Sequence, residues 1–196
     1  MKCIMPLISF LILIVIFITP TVGQGASDNI GRDAFDKGDY ATAFQEWSIS
    51  ATNGSTAAQL GLANLYANGL GTEKNIIKAA HWYSTAAKLG SSEAQYRVGI
   101  LYFSGQGVDQ NYQKSADSYI QAAEQNHAAA QNNLAGMYAL GLGVQRDFIK
   151  AYMWAFLAAT KGAHRSKENL SLFENRMDEE QVLEAKQLAK AWQNSH

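Results

Sequence analysis

The sequence predicts an all-α fold, a right-handed α-solenoid (superhelix) of stacked antiparallel helix pairs, and three observations carry that prediction. One phrase recurs at constant spacing. Ala58-Gln59, Ala94-Gln95 and Ala130-Gln131 stand 36 residues apart, and each opens a segment running through Tyr66, Tyr102 or Tyr138 into a Gly-x-Gly turn at 69–71, 105–107 or 141–143. A fixed period between about 20 and 50 residues marks a repeat architecture. Between the turns, apolar residues fall at helical spacing. Finally, both prolines, Pro6 and Pro20, precede the repeats, so no proline interrupts the helices that follow.

The chain begins with Lys2, an apolar run from Leu7 to Ile18, then Thr19, Pro20 and small residues. That order is the pattern of a secretory signal peptide, and Thr21 and Gly23 place cleavage after Gly23, giving a leader of residues 1–23. The run is shorter than the roughly 20 residues of a membrane span. An uncleaved N-terminal anchor is the rival reading, and the only route by which the chain would touch a membrane. The single cysteine, Cys3, lies in the leader, so no disulfide framework is expected after it.

A first helix is expected from Ser27 to Lys37, with Ile30 and Ala34 inward, then a turn at Lys37-Gly38-Asp39. Tyr40, Ala43, Phe44, Trp47 and Ala51 follow on one helical face, and Gly54 stops it. This pair, residues 27–56, has no two-glycine loop and reads as an N-terminal cap. Three units follow, at 57–92, 93–128 and 129–163. In each, the first glycine of the turn closes one helix in the left-handed region. Asn75, Asn111 or Asp147 then offers an N-cap for the next helix. Gly90 ends the second helix of the first unit, and Asn126, which tolerates the same conformation, takes that place in the second. Trp82, Trp154 and the three repeat tyrosines read as packing. Lys78, Lys114 and Lys150 fall in first helical turns, where a cation opposes the helix dipole; the pattern alone supplies no reason for them. Beyond Gly162 the pattern decays. Residues 164–196 read as C-terminal capping helices, one at Ser166–Asn175 and a last one capped by Asp178 with Gln181, its inner face Val182, Ala185, Ala189 and Trp192.

The phrase Ala-Gln-x3-Gly-x2-Tyr-x2-Gly-x-Gly-Val, followed by Lys-x4-Tyr-x2-Ala-Ala, as it stands from Ala94 to Ala123, resembles the Sel-1-like repeat, a two-helix subclass of the tetratricopeptide superfamily. The resemblance covers residues 57–163, with 30–54 and 166–193 as flanking caps. Departures are Thr72 for the loop valine and Ser115 for an alanine. It implies a non-enzymatic adaptor that holds a protein or peptide partner on a concave surface. Some bacterial relatives carry paired cysteines in each repeat and have been linked to penicillin-like compounds; this sequence lacks those cysteines, so that link does not carry over.

The resemblance also places the first helix of each unit on the inner curve. The expected partner-binding residues are Leu60, Asn64 and Asn68; Tyr96, Ile100 and Phe103; and Asn132 and Leu140, with Ala67, Ser104, Gly136 and Ala139 beside them. Asparagine amides can hold the backbone of an extended peptide, and Tyr96 and Phe103 would supply apolar anchor area.

Other chemistry finds no support. The net charge is −1, with basic residues scattered, so no nucleic-acid footprint is visible. His81, His127 and His164 do not stand at ligand spacing, so neither a metal nor a cofactor is expected, and each histidine reads as a surface residue. Glu168, Glu174, Glu179 and Glu180 read as a solvated face, and no catalytic constellation appears. The expectation is therefore an exported adaptor, periplasmic or secreted, that binds a protein or peptide. Alternatives are a cell-wall protein that binds peptidoglycan and a secreted factor acting on a host protein.

Overall fold

A computed structural model describes residues 24–196, and the expected leader lies outside the described residues. Every element among them is a helix: α1 (Gln24–Asp36), α2 (Tyr40–Thr52), α3 (Thr56–Asn68), α4 (Ile76–Lys88), α5 (Ser92–Ser104), α6 (Tyr112–Glu124), α7 (Ala128–Leu140), α8 (Phe148–Thr160), α9 (Ser166–Glu174) and α10 (Glu179–Ser195). Each odd helix packs on the even helix after it as far as α8, and each even helix packs on the odd helix that follows. The chain is thus an α-solenoid of helix pairs, as the period requires. None of the described helices is long and apolar enough to cross a membrane.

Helix starts are chemically determined. Asp39, Asn75, Asn111 and Asp147 cap the even helices, each side chain accepting from a backbone N–H three residues on. Ser55, Ser91 and His127 do the same for α3, α5 and α7. Asn126 adopts φ 66°, as expected of a residue standing where Gly54, Gly90 and Gly162 stand in the other pairs.

What joins one pair to the next is more informative than the helices themselves. Gln59, Gln95 and Gln131 are buried, and each donates its Nε2 to the carbonyl eight residues earlier: Ala51 at 3.2 Å, Ala87 at 3.3 Å and Ala123 at 3.1 Å. Those carbonyls lie in the last turn of the preceding even helix, where the i+4 partner is missing and each accepts instead from the backbone N–H of Gly54, Gly90 or Asn126, leaving a second lone pair for the glutamine. The glutamine of the repeated Ala-Gln is therefore a polar bracket between units. The second glycine of each turn has a matching task. Gly71, Gly107 and Gly143 have φ of 66°, 73° and 68°, and a side chain on any of them would strike the first carbonyl of an earlier even helix, that of Tyr40, Ile76 or Tyr112. Only glycine satisfies both the conformation and the closeness.

The repeat lysines acquire their reason here. Lys78, Lys114 and Lys150 hold their ammonium groups 5.3, 5.3 and 5.4 Å from the ring centroids of Tyr66, Tyr102 and Tyr138. Each helix pair is clamped by a cation on an aromatic face, a contact of about 0.5–1 kcal/mol at exposed sites. The interaction offsets the unfavourable dipole position. Alanines at 43, 79 and 151, with Ser115 in the fourth place, are fully buried and let the helices approach. Ser115 uses its hydroxyl to donate to the Gly99 carbonyl at 2.8 Å, so the departure from alanine costs no unsatisfied group.

The first helix covers Gln24–Asp36 among the described residues, where Ser27 to Lys37 was expected, and its connection to α2 is residues 37–39 where a later one spans 69–75. At the other end, the two expected capping helices, α9 and α10, both pack on α8. The short connection after α9 carries no two-glycine turn, and Trp192 draws α10 onto Trp154, ring centroids 5.0 Å apart. The capping box of Asp178 and Gln181, and the burial of Ala185 and Ala189, are as expected.

Two predictions follow from the junctions. Gly143→Ala combines strain at positive φ with a backbone clash and should lower stability by about 3 kcal/mol. Gly162→Asn, at φ 73° with open space around it, should cost less than about 1 kcal/mol. Urea denaturation of both variants separates the two effects. The second prediction is a gain. The Oε1 of Gln95 accepts from Gln125 at 2.7 Å and that of Gln131 from Lys161 at 3.4 Å, but the buried Oε1 of Gln59 has no partner, and Leu89 occupies the equivalent position. Leu89→Gln should supply the missing donor and add about 1 kcal/mol; an unchanged urea midpoint would show that the oxygen is already satisfied.

Candidate functional site

The odd helices share one face of the stack, and four pockets lie along it. Between α1 and α3, Arg32, Asp36, Trp47, Leu60 and Asn64 line a pocket of about 230 Å³. Between α3 and α5, one of about 510 Å³ is lined by Lys74, Tyr83, Arg97 and Ile100. Further along, Phe103, Tyr119, Asn132, Gly136, Leu140 and Asn169 line a pocket of about 240 Å³. The last, of about 500 Å³, has Tyr96, His164 and Arg165 and shares Asn132, Asn133 and Asn169 with its neighbour.

Seven of the eight expected residues therefore line pockets on this one face: Leu60, Asn64, Tyr96, Ile100, Phe103, Asn132 and Leu140. Asn68 lines none of them. Its Nδ2 turns back to the Asn64 carbonyl at 2.8 Å, a local bond that spends the amide on its own helix. Ser104 does likewise with Ile100, and Ala139 packs against the core. Phe103 and Leu140 are 39% and 70% exposed, so these two apolar groups on the face remain open to solvent.

Hydrogen bonds orient the polar groups. The Tyr83 hydroxyl donates to Asn64 Oδ1 at 2.5 Å. Asn132 Oδ1 accepts from Ser166 Oγ at 3.1 Å and Asn169 Nδ2 at 2.9 Å, which leaves its own Nδ2 to donate elsewhere. Burial pushes the Tyr119 hydroxyl up to about 12, so it stays a neutral donor. Glu93 is held by two partners on opposite sides: His127 Nε2 at 2.9 Å and Arg97 Nε at 2.6 Å. The His127 bond is the chief cause that draws its carboxyl down to about 2; burial opposes the shift and Arg97 adds to it.

His127 corrects the reading of it as a plain surface histidine. Its Nδ1 accepts from Ala130 N–H at 3.2 Å, and its ring stacks on Tyr96 at 4.7 Å. Because Nδ1 accepts, Nε2 carries the proton given to Glu93. Glu174 also departs from the solvated face, accepting from the Tyr152 hydroxyl at 2.8 Å.

Sequence reasoning missed Arg97, Asn133 and Asn169, along with Arg165 and His164. A signal existed. Gly61, Arg97, Asn133 and Asn169 are 36 residues apart, on the same side of successive odd helices, yet differ in kind. Across the four pockets the cations are Arg32, Lys74, Arg97 and Arg165, with His164, while Asp36 is the one carboxylate among the lining residues. No group of three or more His, Cys, Asp or Glu placed to hold a metal ion occurs among the described residues.

The sequence profile of the Sel1 repeat matches three consecutive stretches, 56–91, 92–127 and 128–162. The chain belongs to the Sel1 repeat family. Solved structures agree. A Sel1 repeat protein from Oxalobacter formigenes is 33% identical, with a TM-score of 0.69 over 73% of this chain and 59% of that one. The protein c5321, described as a protective antigen present in uropathogenic Escherichia coli strains displaying an SLR fold, is 26% identical, with a TM-score of 0.60 over 86% of this chain and 45% of that one. Cysteine-rich protein B of Helicobacter pylori, 21% identical with a TM-score of 0.50, shares the fold; the match covers 74% of this chain and 98% of that one. The Sel1 chain described here thus spans only 59% and 45% of the first two. Among curated proteins none matches it.

The Glu93 bridge from α5 to the N-cap of α7 yields a pH prediction. A carboxyl depressed from 4.5 to about 2 contributes stability above the unfolded value and loses it as pH falls toward the folded one. Glu93→Gln should be less stable than wild type at pH 7 by under about 1 kcal/mol, since the pair is half exposed and screened. That gap should close between pH 4.5 and pH 2, measured by urea midpoints across the range.

Proposed function

We propose that this Sel1 protein is an exported, non-enzymatic adaptor that holds an extended peptide segment of a protein partner along the face of its odd helices. The observation that carries the reading is the row of four pockets on one face, at positions where the repeats stop resembling one another. A solenoid needs its repeated residues for stacking; residues that vary on a shared face are free to recognise something else. The face mixes half-exposed aromatic and aliphatic groups with amides already oriented by Tyr83, Ser166 and Asn169. Such a set suits main-chain hydrogen bonding with side-chain anchors. The Lys2 and apolar-run pattern of residues 1–23 supports export to the periplasm or beyond. Family membership supports partner binding over catalysis.

A photoreactive amino acid at Phe103 should crosslink to one short segment of a partner protein, identified by mass spectrometry. The same probe at Ile77, which is 70% exposed on α4, should not. Arg97→Glu should weaken that partner about tenfold. Equal crosslinking at both sites, or recovery of peptidoglycan fragments alone, would defeat the reading.

A further inference from the structure

Past the first helical turn, where Gly25 stands in open space at the start of α1, the helical glycines follow a rule with one exception. Gly31 and Gly61 both face the indole of Trp47, and a Cβ built on either would stand 2.5 or 2.6 Å from the ring. Gly99 faces the ring of Tyr119, again at 2.5 Å. In each case an aromatic ring occupies the space a side chain would fill, and glycine is required. Gly136 lies inside α7 with no positive φ, and a Cβ there would meet nothing within 4 Å. A glycine in a helix interior costs about 1 kcal/mol relative to alanine, and no contact within the fold asks for one here. The equivalent residues in the other units are Asn64, bonded to Tyr83, and Ile100, packed on the core.

The space above Gly136 is the pocket of about 240 Å³, walled by Phe103, Tyr119, Met137, Leu140 and Leu142, with amides of Asn133 and Asn169 at its lining. Its walls are aromatic and aliphatic, and two of them, Phe103 and Leu140, are exposed. Rings prefer edge-to-face or offset contact with other rings and a polar partner for any N–H or O–H they carry. The adjoining pocket supplies His164 and Arg165, neither of them in an ion pair among the described residues, and no carboxylate lines either pocket. The net charge of the chain is −1, so this positive corner is local and not a reflection of composition.

We propose that Gly136 is the floor of an anchor subsite that takes one aromatic side chain of an extended peptide, with an acidic residue beside it set against Arg165 and His164. This rests on the odd-helix face being the peptide-binding face. The molecule's own Trp47 and Tyr119 show the arrangement: a ring packed against a helical glycine.

The probe is a phage-displayed library of random dodecapeptides selected on the purified protein, followed by titration of the enriched peptides. Enrichment of Trp, Tyr or Phe next to Asp or Glu is expected. Gly136→Leu should weaken those peptides at least tenfold, while the melting temperatures of Gly136→Ala and Gly136→Leu stay at or above wild type. Arg165→Glu should weaken acidic peptides and spare versions with Asn or Gln in place of the acid. Enriched peptides without an aromatic residue, or equal binding to Gly136→Leu, would overturn the anchor and leave the groove standing. No enrichment at all would sink both readings. A lower melting temperature for Gly136→Ala would show that the fold itself needs the glycine and overturn the proposal. So would a dimer converted to monomer by Gly136→Leu, which would make a second copy the occupant.

Discussion

Each helix pair in this chain has an apolar side that it cannot bury alone, so the closeness of the contact between successive pairs governs the rest. That contact is kept short by two devices. The second turn glycine leaves room for a carbonyl of an earlier even helix, and alanines at 43, 79 and 151 remove side-chain bulk between helices. Closeness has an electrostatic consequence, because carbonyls at the ends of α2, α4 and α6 become covered with only one backbone partner each. The buried glutamines answer it at 3.1–3.3 Å. A unit with bulk at the glycine or without the glutamine would meet its neighbour badly, and the error would be local, since contacts in such a stack run between neighbours.

The same arithmetic separates structure from recognition. Residues that recur every 36 positions are committed: the glutamine brackets, the turn glycines, and the lysine–tyrosine clamps. Residues that share a face but change between units are uncommitted, and these line the pockets. Arg97, Asn133 and Asn169 belong to one such column, whose first place, Gly61, is taken up by the Trp47 ring, and Asn64, Ile100 and Gly136 form another. None of the committed residues lines these four pockets, so the binding surface can vary without loosening the stack.

The ends show what happens where the period lapses. A three-residue turn at 37–39 replaces the longer connection and moves α1 along its partner, which brings Gly31 under Trp47. At the C-terminal end, with no paired glycines after α9, α10 settles on α8 through Trp192 and Trp154. In the middle, His127 takes the capping place held by Ser55 and Ser91 and uses its second nitrogen to reach Glu93 on the preceding odd helix, as the Ser55 hydroxyl reaches Asp28 on α1. A change that looks neutral in the repeat pattern thereby ties two odd helices together.

Sequence by itself determined the period, the helix boundaries within the repeats, and the caps at Asn75, Asn111 and Asp147; that Leu60, Asn64, Tyr96, Ile100, Phe103, Asn132 and Leu140 share a side of the odd helices came only from the family resemblance. Period, boundaries and caps are properties of spacing and of local backbone chemistry, which three aligned copies make visible. Tertiary structure alone decided the rest. It set Lys78, Lys114 and Lys150 over their tyrosines, turned Asn68 back onto its own helix, and brought Arg165 and Asn169 beside Asn132. It also distinguished Gly136, with open space above it, from Gly99, covered by a ring. The reason is physical: these facts depend on which atoms of one unit stand against the next. That follows from the turn of the stack and the volume of each neighbour, neither of which is written in the spacing of residues along the chain.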